Sequence, residues 1–313
     1  VFSRVELESG QPVDVRADDP SGLALPGGLP TGYHRLLVRG PGGVEQTSRL
    51  IVSPGRCHAP EGLEGDGRGW GPAVQLYALR SRRNWGIGDF EDLARLGELA
   101  GREGASMVGV NPLHALFPDD PERASPYSPS SRLFLNVLMI DVESVPELTE
   151  AEDLHRQLAA GDVPGRLARL REQPMVDYAA VAAVKLPALR ELYRVFRRRH
   201  RGGAGTERGR DFARFMERQG TALRRHALFE AIQASQRAAD PAAGGWRAWP
   251  APLRDPRSEE AQRFALAHER EVEFYAYLQW EADRQLAAAA SRGEQAGLGL
   301  GLYLDLALGA SPD

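Results

Sequence analysis

Alternating hydrophobic and polar positions dominate the first part of the chain. Residues 32–38 carry the aromatic and branched side chains typical of a strand, and 46–52 repeat the pattern after a glycine-rich turn at 40–43. Short strands joined by Gly/Pro turns, with no helical periodicity, favour a β-sandwich. We therefore predict a β-sandwich-like domain over residues 1–58, followed by a glycine-rich linker at 59–71.

From residue 72 onward, buried strands alternate with helix. The apolar runs at 73–79 and 107–113 predict strands. Between them, apolar residues recur at helical spacing and predict a helix over 90–103, with Asp89 as its N-cap. A strand, a helix and a strand in this order form a parallel pair with a crossover.

The remainder of the chain predicts a loop region, a long helical region and a third strand. Residues 114–145 are rich in Pro and Ser and predict an extended loop. Helical spacing fills most of the insertion at about 146–290, with interruptions at 200–210 and 237–257. An apolar run near 299–307 predicts the third strand, so the sequence indicates an α/β fold.

Composition narrows the classes of protein to consider. Hydrophobic residues make up 42% and charged residues 26%, which is enough for a packed core. A net charge of −4 argues against a dedicated nucleic-acid binder, and the basic run at 197–201 is better explained as a solvated helix end.

Cys57 is the single cysteine, which favours a reducing compartment such as the cytoplasm. No apolar run reaches the roughly 20 residues of a membrane helix, and the histidines show no metal-ligand spacing.

Several segments resemble one enzyme family when they are taken together, although each is weak alone. They are Gln75–Leu96 (QLYALRSRRNWGIGDFEDLARL), Asn111–Pro118 (NPLHALFP), Ala124–Val142 (ASPYSPSSRLFLNVLMIDV), His226–Ile232 (HALFEAI), Gly245–Pro256 (GWRAWPAPLRDP), Phe274–Ala289 (FYAYLQWEADRQLAAA) and Gly301–Gly309 (GLYLDLALG). In this order and spacing, the chain resembles the bacterial amylomaltases, or 4-alpha-glucanotransferases, that have an extra N-terminal β domain.

The resemblance implies a fold and a reaction. The fold is a (β/α)₈ TIM barrel, of which the three predicted strands are the first, with the active site at the carboxyl ends of the strands. The reaction transfers α-1,4-glucan segments between maltodextrins with retention, through two carboxyl groups about 5–5.5 Å apart. The resemblance implies no cofactor, and its implied partner is a maltodextrin. The histidine spacing, the net charge and the short apolar runs predict no metal, no nucleic acid and no membrane.

The catalytic groups that the resemblance implies are missing from these 313 residues. The family has an Asp nucleophile in an Arg-x-Asp-His motif, a Glu acid/base and a further Asp, and Asp89, Asp141 and Asp305 match none of these motifs. The chain also opens at Val1 inside a predicted strand and stops soon after an uncovered third strand. We therefore expect an N-terminal fragment, inactive alone, whose catalytic carboxylates lie beyond Asp313.

The segment Ser125-Pro126-Tyr127 is the first candidate for contact with sugar. A tyrosine offers a flat face for the C–H face of a sugar and a hydroxyl for its polar edge. The resemblance implies that Tyr127 lines the donor side of the cleft. The alternative is a turn whose tyrosine covers a hydrophobic patch.

Three further residues are weaker candidates for sugar contact. Asp305 lies in an apolar run, where a carboxylate is costly unless it is paired. The resemblance implies that it faces the cleft, where it either contacts sugar or supports the site by a hydrogen bond. The alternative is a buried carboxylate satisfied by an arginine or by backbone donors. Asn84 and Trp85, in the first loop, could face the cleft, but packing beneath that loop is the stronger alternative for the tryptophan.

Two other functions stay open at this level. The chain could be a non-catalytic glucan-binding or structural fragment, with the β domain as a binding or packing module. It could instead belong to a related retaining α-glucan hydrolase. A reading frame that continues past Asp313 with the three acidic motifs would exclude the first, and conversion of maltotriose to glucose plus longer chains would exclude the second.

Overall fold

The chain folds into two compact units, Val1–Gly67 and Arg68–Asp313. Of the predicted linker at 59–71, residues 59, 61–62 and 64–66 lie outside the described residues, as does Pro41 of the predicted glycine-rich turn. The computed structural model describes residues 2–15, 24–40, 42–55, 57, 60, 63, 67–159, 162–200, 205–240 and 242–313.

Within the described residues, the first unit contains strands, and every α-helix lies in the second unit. The strands within the described residues are β1 (Phe2–Glu6), β2 (Pro12–Val15), β3 (Gly32–Arg39), β4 (Glu45–Val52), β5 (Ala73–Val74), β6 (Met107–Val110), β7 (His114–Ala115), β8 (Ser131–Leu135) and β9 (Gly301–Leu304). The α-helices are α1 (Phe90–Arg102), α2 (Glu152–Ala159), α3 (Val163–Glu172), α4 (Tyr178–His200), α5 (Glu207–Ala239), α6 (Glu259–Ala267) and α7 (Glu269–Gln295).

The first unit is an antiparallel sheet in the order β2-β1-β3-β4. The pairing of β3 with β4 runs from Gly32 opposite Val52 to Arg39 opposite Glu45. Arg39 and Glu45 also form an ion pair across the two strands at 3.0 Å. The predicted N-terminal β structure is thereby confirmed.

The second unit contains a parallel sheet in the order β5-β6-β9. All three predicted strands are present, but each is shorter than predicted. The run at 73–79 leaves the sheet after Val74 because the Leu76 backbone N–H takes the Asn111 side-chain oxygen as its acceptor at 2.7 Å. Residues Leu76–Ala78 then form a 3₁₀ turn. Because the three strands run parallel, their carboxyl ends lie at one edge of the sheet.

The predicted loop at 114–145 was wrong in part, because it contains the antiparallel pair β7 and β8. A side chain from a distant helix secures the end of β8: the Gln279 amide accepts from the Leu135 N–H and donates to the Leu135 carbonyl, both at 2.9 Å. This contact spans 144 residues and leaves no local pattern in the sequence.

The helix α1 starts where the sequence predicts it. The Asp89 side chain accepts from the backbone N–H groups of Glu91 and Asp92, and the Asp92 side chain accepts from the Asp89 N–H, which completes a capping box. The helix packs on α7 at a close approach of Gly97 to Gly293. Strand, helix and strand are therefore fixed relative to the helical insertion.

Helices α2 to α7 confirm the predicted helical region. The helix α4 ends at His200 and α5 begins at Glu207, in agreement with the predicted interruption, of which residues 201–204 lie outside the described residues. The helix α5 breaks at Gly220, whose φ of 55° and ψ of −133° are not helical. None of the helices in the described part of the chain is long and apolar enough to cross a membrane.

Gly88 holds the loop before α1 against the 3₁₀ turn, and we expect Gly88→Ala to destabilise the protein. A Cβ at this position would lie 1.8 Å from the Leu76 carbonyl oxygen, which is a backbone atom that cannot move alone. Overpacking of this kind costs about 1–3 kcal/mol. Urea unfolding measures the loss, with Gly299→Ala as the control because nothing lies within 4 Å of its added Cβ. Equal stability of the two variants would contradict the tight packing of this loop.

Candidate active-site edge

Two sequence candidates meet at the carboxyl edge of the parallel sheet. The Tyr127 hydroxyl donates to Asp305 Oδ2 at 3.0 Å, across 178 residues of sequence. Tyr127 is 56% exposed, and Asp305 is half-buried. The hydrogen bond to Asp305 raises the pKa of Tyr127, so the phenol stays protonated and donates. The pair presents an aromatic face and a carboxylate to solvent at one point.

A tight turn presents the tyrosine. The Ser128 N–H donates to the Ser125 carbonyl at 3.1 Å, with Pro126 and Tyr127 as the two central residues. Proline favours the first central position of such a turn because its φ is already fixed. Ser125 and Tyr127 are exposed, and Pro126 is half-buried.

Asp305 is held by the strand that it follows and by the loop beyond it. Its backbone N–H donates to the Val110 carbonyl at 3.2 Å. Two residues later, the Ala307 N–H donates to His114 Nε2 at 3.2 Å, and Arg132 donates to the carbonyls of Ala307 and Leu308. Burial lowers the pKa of His114, with a further contribution from Arg132, which keeps Nε2 free to accept. His114 therefore has a structural role at this edge, as the acceptor for a backbone N–H of the loop after Asp305.

Two tyrosines near this edge were missed by the sequence analysis. Tyr77 lies in the 3₁₀ turn after β5, with its ring centroid 6.4 Å from that of Tyr178. Tyr77 is close enough to Tyr127 to contribute, after the Asp305 hydrogen bond, to the raised pKa of Tyr127. Burial raises the pKa of Tyr178 to about 12. Tyr77 lies inside the strand predicted at 73–79, and it reaches this edge because β5 ends early, at Val74.

Asn84 and Trp85 lie inside the loop rather than on its surface. Asn84 is fully buried, and its side-chain amide donates to the Leu79 carbonyl at 3.1 Å and to Asp92 at 2.8 Å. Trp85 is 1% exposed, with its indole N–H 3.3 Å from Glu143. Contact with a sugar requires accessible atoms, so the geometry corrects the prediction for both residues and favours the packing alternative.

The other carboxylates named from the sequence also have structural positions. Asp89 caps α1, and burial raises its pKa to about 7. Asp141 is buried and accepts from Arg83 at 2.7 Å. Of these three acids, Asp305 alone faces solvent in part, so they do not form a pair of accessible catalytic carboxyls. No group of three or more His, Cys, Asp or Glu side chains suited to a metal occurs within the described ranges.

Two protein-family models together match nearly the whole chain. The model of a family described as 4-alpha-glucanotransferase matches residues 74–313. The model of the MalQ N-terminal beta sandwich domain matches residues 2–54. The two matches follow each other along the chain, in the same order as the two predicted domains.

Curated relatives carry the same description. A 4-alpha-glucanotransferase of Haemophilus influenzae is 37% identical over 293 residues, covering 92% of this chain and 41% of the relative. A 4-alpha-glucanotransferase of Mycobacterium tuberculosis is 37% identical over 316 residues, covering 96% of this chain and 40% of the relative. The chain thus spans about two fifths of the length of these relatives.

Solved structures show the same similarity. The amylomaltase of Corynebacterium glutamicum superposes with a TM-score of 0.76 at 28% identity, over 98% of this chain and 42% of that chain. The amylomaltase of Streptococcus agalactiae, solved in complex with acarbose, superposes with a TM-score of 0.59 at 17% identity, over 79% of this chain. The second similarity concerns the fold alone.

Proposed function

The chain belongs to the 4-alpha-glucanotransferase family, and we propose that it forms the donor-side wall of an enzyme that transfers α-1,4-glucan segments between maltodextrins. The observation that carries this proposal is the hydrogen bond between Tyr127 and Asp305. It joins an exposed aromatic face to a carboxylate at the carboxyl edge of a parallel sheet, where barrel enzymes bind their substrates.

The proposal treats β5, β6 and β9 as the first three strands of a (β/α)₈ barrel, with residues 146–290 as its helical insertion and 1–58 as a separate β domain. Exposed apolar side chains on and after β9 support this. Tyr303, Leu304, Leu306 and Leu308 are between 52% and 100% exposed. Neighbouring strands and helices cover such side chains in a closed barrel, which removes both the apolar surface and the free strand edge.

Tyr127 would act by stacking on a glucose ring while its hydroxyl stays anchored to Asp305. Oδ2 of Asp305 receives the phenol, and Oδ1 has no hydrogen-bond partner within the described residues, so it remains available to accept from a sugar hydroxyl. The turn at Ser125 and Pro126 fixes the direction of the ring. These groups bind and orient sugar. They do not break a bond.

Bond breaking would require a pair of carboxyl groups from outside residues 1–313. One attacks the anomeric carbon and displaces the leaving sugar, while the other protonates the leaving oxygen. The second group then removes a proton from the 4-hydroxyl of an acceptor sugar, whose oxygen attacks the anomeric carbon and releases the first carboxylate, so the anomeric configuration is retained. The absence of an Arg-x-Asp-His motif supports this division of roles.

A cytoplasmic location is also part of the proposal. The chain has one cysteine, which favours a reducing compartment such as the cytoplasm.

We expect the product of the complete reading frame that encodes these residues to disproportionate maltotriose. Glucose and longer maltodextrins should appear together, with the number of glycosidic bonds unchanged. Chromatography of the products, with a reducing-end assay, measures both quantities. Residues 1–313 purified alone are expected to show no transfer.

Three outcomes would contradict the proposal. A net increase in reducing ends without longer chains would indicate a hydrolase. Binding of maltodextrin by the complete product without any conversion would indicate a glucan-binding role. Transfer by residues 1–313 alone would refute the placement of the catalytic carboxyls.

A further inference from the structure

A groove separate from the Tyr127–Asp305 pair lies in the helical insertion. It has a volume of about 530 Å³, within the range of ligand sites in proteins. One side is formed by α5, a second by the segment 246–256 and a third by β8. Ser311 and Asp313, from the loop that begins at Asp305, complete its rim. We name it the Trp246 groove.

Aromatic rings make up much of the wall of the Trp246 groove. Phe229 and Trp249 lie with their centroids 5.3 Å apart, and Phe134 stacks on His226 at 4.3 Å. Trp246 is half-buried, and its indole N–H is already bonded to the Pro312 carbonyl at 3.2 Å. A ligand in the groove therefore meets apolar ring surface rather than indole donors.

The groove has few polar groups, and these can form hydrogen bonds with the hydroxyl groups of a ligand. The Arg225 guanidinium is exposed and has no hydrogen-bond partner within the described residues. Arg254 uses Nε to bond the Trp249 carbonyl at 2.8 Å, and Ser131 adds a hydroxyl. Burial lowers the pKa of His226 to about 3, so the imidazole is neutral and adds no charge. Apolar faces with a few donors at the rim match the apolar faces and polar edges of a sugar chain.

Two segments connect the groove to the Tyr127–Asp305 pair. The first runs from Tyr127 to Ser131, and the second from Asp305 to Asp313. They are joined midway, where the Ser311 N–H donates to the Pro129 carbonyl at 2.7 Å. Arg123 also donates to the Ser311 hydroxyl at 2.7 Å. The pair lies at one end of this joined ridge, and the groove lies at the other.

We propose that the Trp246 groove binds a segment of α-1,4-glucan remote from the point of transfer and so favours long chains over short ones. The inference rests on the proposed function, because the same chain occupies both places. A maltodextrin with more glucose units than maltotriose extends further along the ridge from Tyr127. A longer maltodextrin gains the second set of contacts, and linked contacts add affinity without any change at the first site.

The test compares maltoheptaose with maltotriose on the product of the complete reading frame. Initial transfer rates, taken before the sugars are interconverted, should give a lower KM for maltoheptaose than for maltotriose in the native protein and so report the tighter binding. We expect Trp246→Ala to weaken maltoheptaose binding about tenfold, which is about 1.4 kcal/mol, and Arg225→Met to weaken it less. Trp246→Phe should retain most of the affinity because it keeps an aromatic face. Circular dichroism and thermal melting identify any variant that fails to fold.

Trp70→Ala is the matched control. Trp70 is 56% exposed and precedes β5, at the opposite end of the parallel sheet, so its loss should leave the binding of both sugars unchanged. The inference is overturned if maltoheptaose binds no tighter than maltotriose, or if Trp246→Ala and Trp70→Ala bind alike. A crystal structure of the complete product with polypeptide filling the groove would also overturn it.

Failure of this inference can be separated from failure of the proposed function. If the product disproportionates maltotriose but its groove variants bind maltoheptaose like the native protein, the proposal for the groove is wrong and the proposed function stands. If the product neither converts nor binds maltodextrin of any length, both proposals are wrong.

Discussion

Tyr127→Ala is expected to lower kcat/KM for glucan transfer by about 10- to 100-fold while leaving the melting temperature nearly unchanged. The substitution removes a stacking face and the hydrogen bond that fixes Asp305. Both groups hold the bound sugar in the reactive position, and a small misplacement of substrate is enough to lower the rate by about 100-fold. Stability should change little because the ring is 56% exposed and fills no core position. Maltotriose disproportionation by the complete product measures the rate.

Two further variants separate the parts of this effect. Tyr127→Phe keeps the ring and loses the hydroxyl, so it should fall between the native protein and Tyr127→Ala. Asp305→Asn keeps the shape and loses the charge, and it should reduce the rate even with Tyr127 intact. Tyr33→Ala is the control, since Tyr33 is similarly exposed at 63% and lies in the first unit. A Tyr127→Ala protein that is destabilised but fully active per folded molecule would make Tyr127 a packing residue.

Local patterns predicted the elements that local contacts determine. The start of α1 is one, because its capping box involves Asp89 and Asp92 within a single turn. The three parallel strands are another, because each is an apolar run next to a helix or a turn. Their lengths were less predictable. The Asn111 side chain ends β5 from 35 residues away, which no local pattern reveals.

The candidate site was predicted unevenly for the same reason. Tyr127 and Asp305 were each selected from the sequence, but their hydrogen bond could not be, since it joins two loops 178 residues apart. Trp85 and Asn84 lie in the expected loop, yet only the fold decides which way its side chains point. Burial of Asn84 depends on Asp92 and on Arg171, which donates to the Asn84 carbonyl from α3.

Lys185 was not selected from the sequence, although it is the chain's single lysine among 39 basic residues. It lies in α4, fully buried, and its ammonium donates to the carbonyls of Leu138 and Ile140 at 2.7 and 2.8 Å. Burial lowers the pKa of Lys185, while Asp89, Asp141 and Asp92 oppose that shift. A compact ammonium fits two converging carbonyls, whereas a planar guanidinium with five donors does not.

We expect Lys185→Met to destabilise the protein by about 3–5 kcal/mol, the cost of removing one partner from a buried charged network. Methionine has a similar volume, so the loss arises from two carbonyls left without their donor and from three acids that lose a nearby positive charge. Lys185→Arg keeps the charge and should also destabilise, because the larger head group overpacks the site. Urea unfolding of the complete product measures both. Arg169→Met is the control, since Arg169 is 61% exposed and pairs with Asp162 at the surface, where such pairs contribute about 0–1 kcal/mol. If Lys185→Met were as stable as Arg169→Met, the three acids would not need the ammonium, and apolar packing alone would hold α4 beneath the loop that precedes α1.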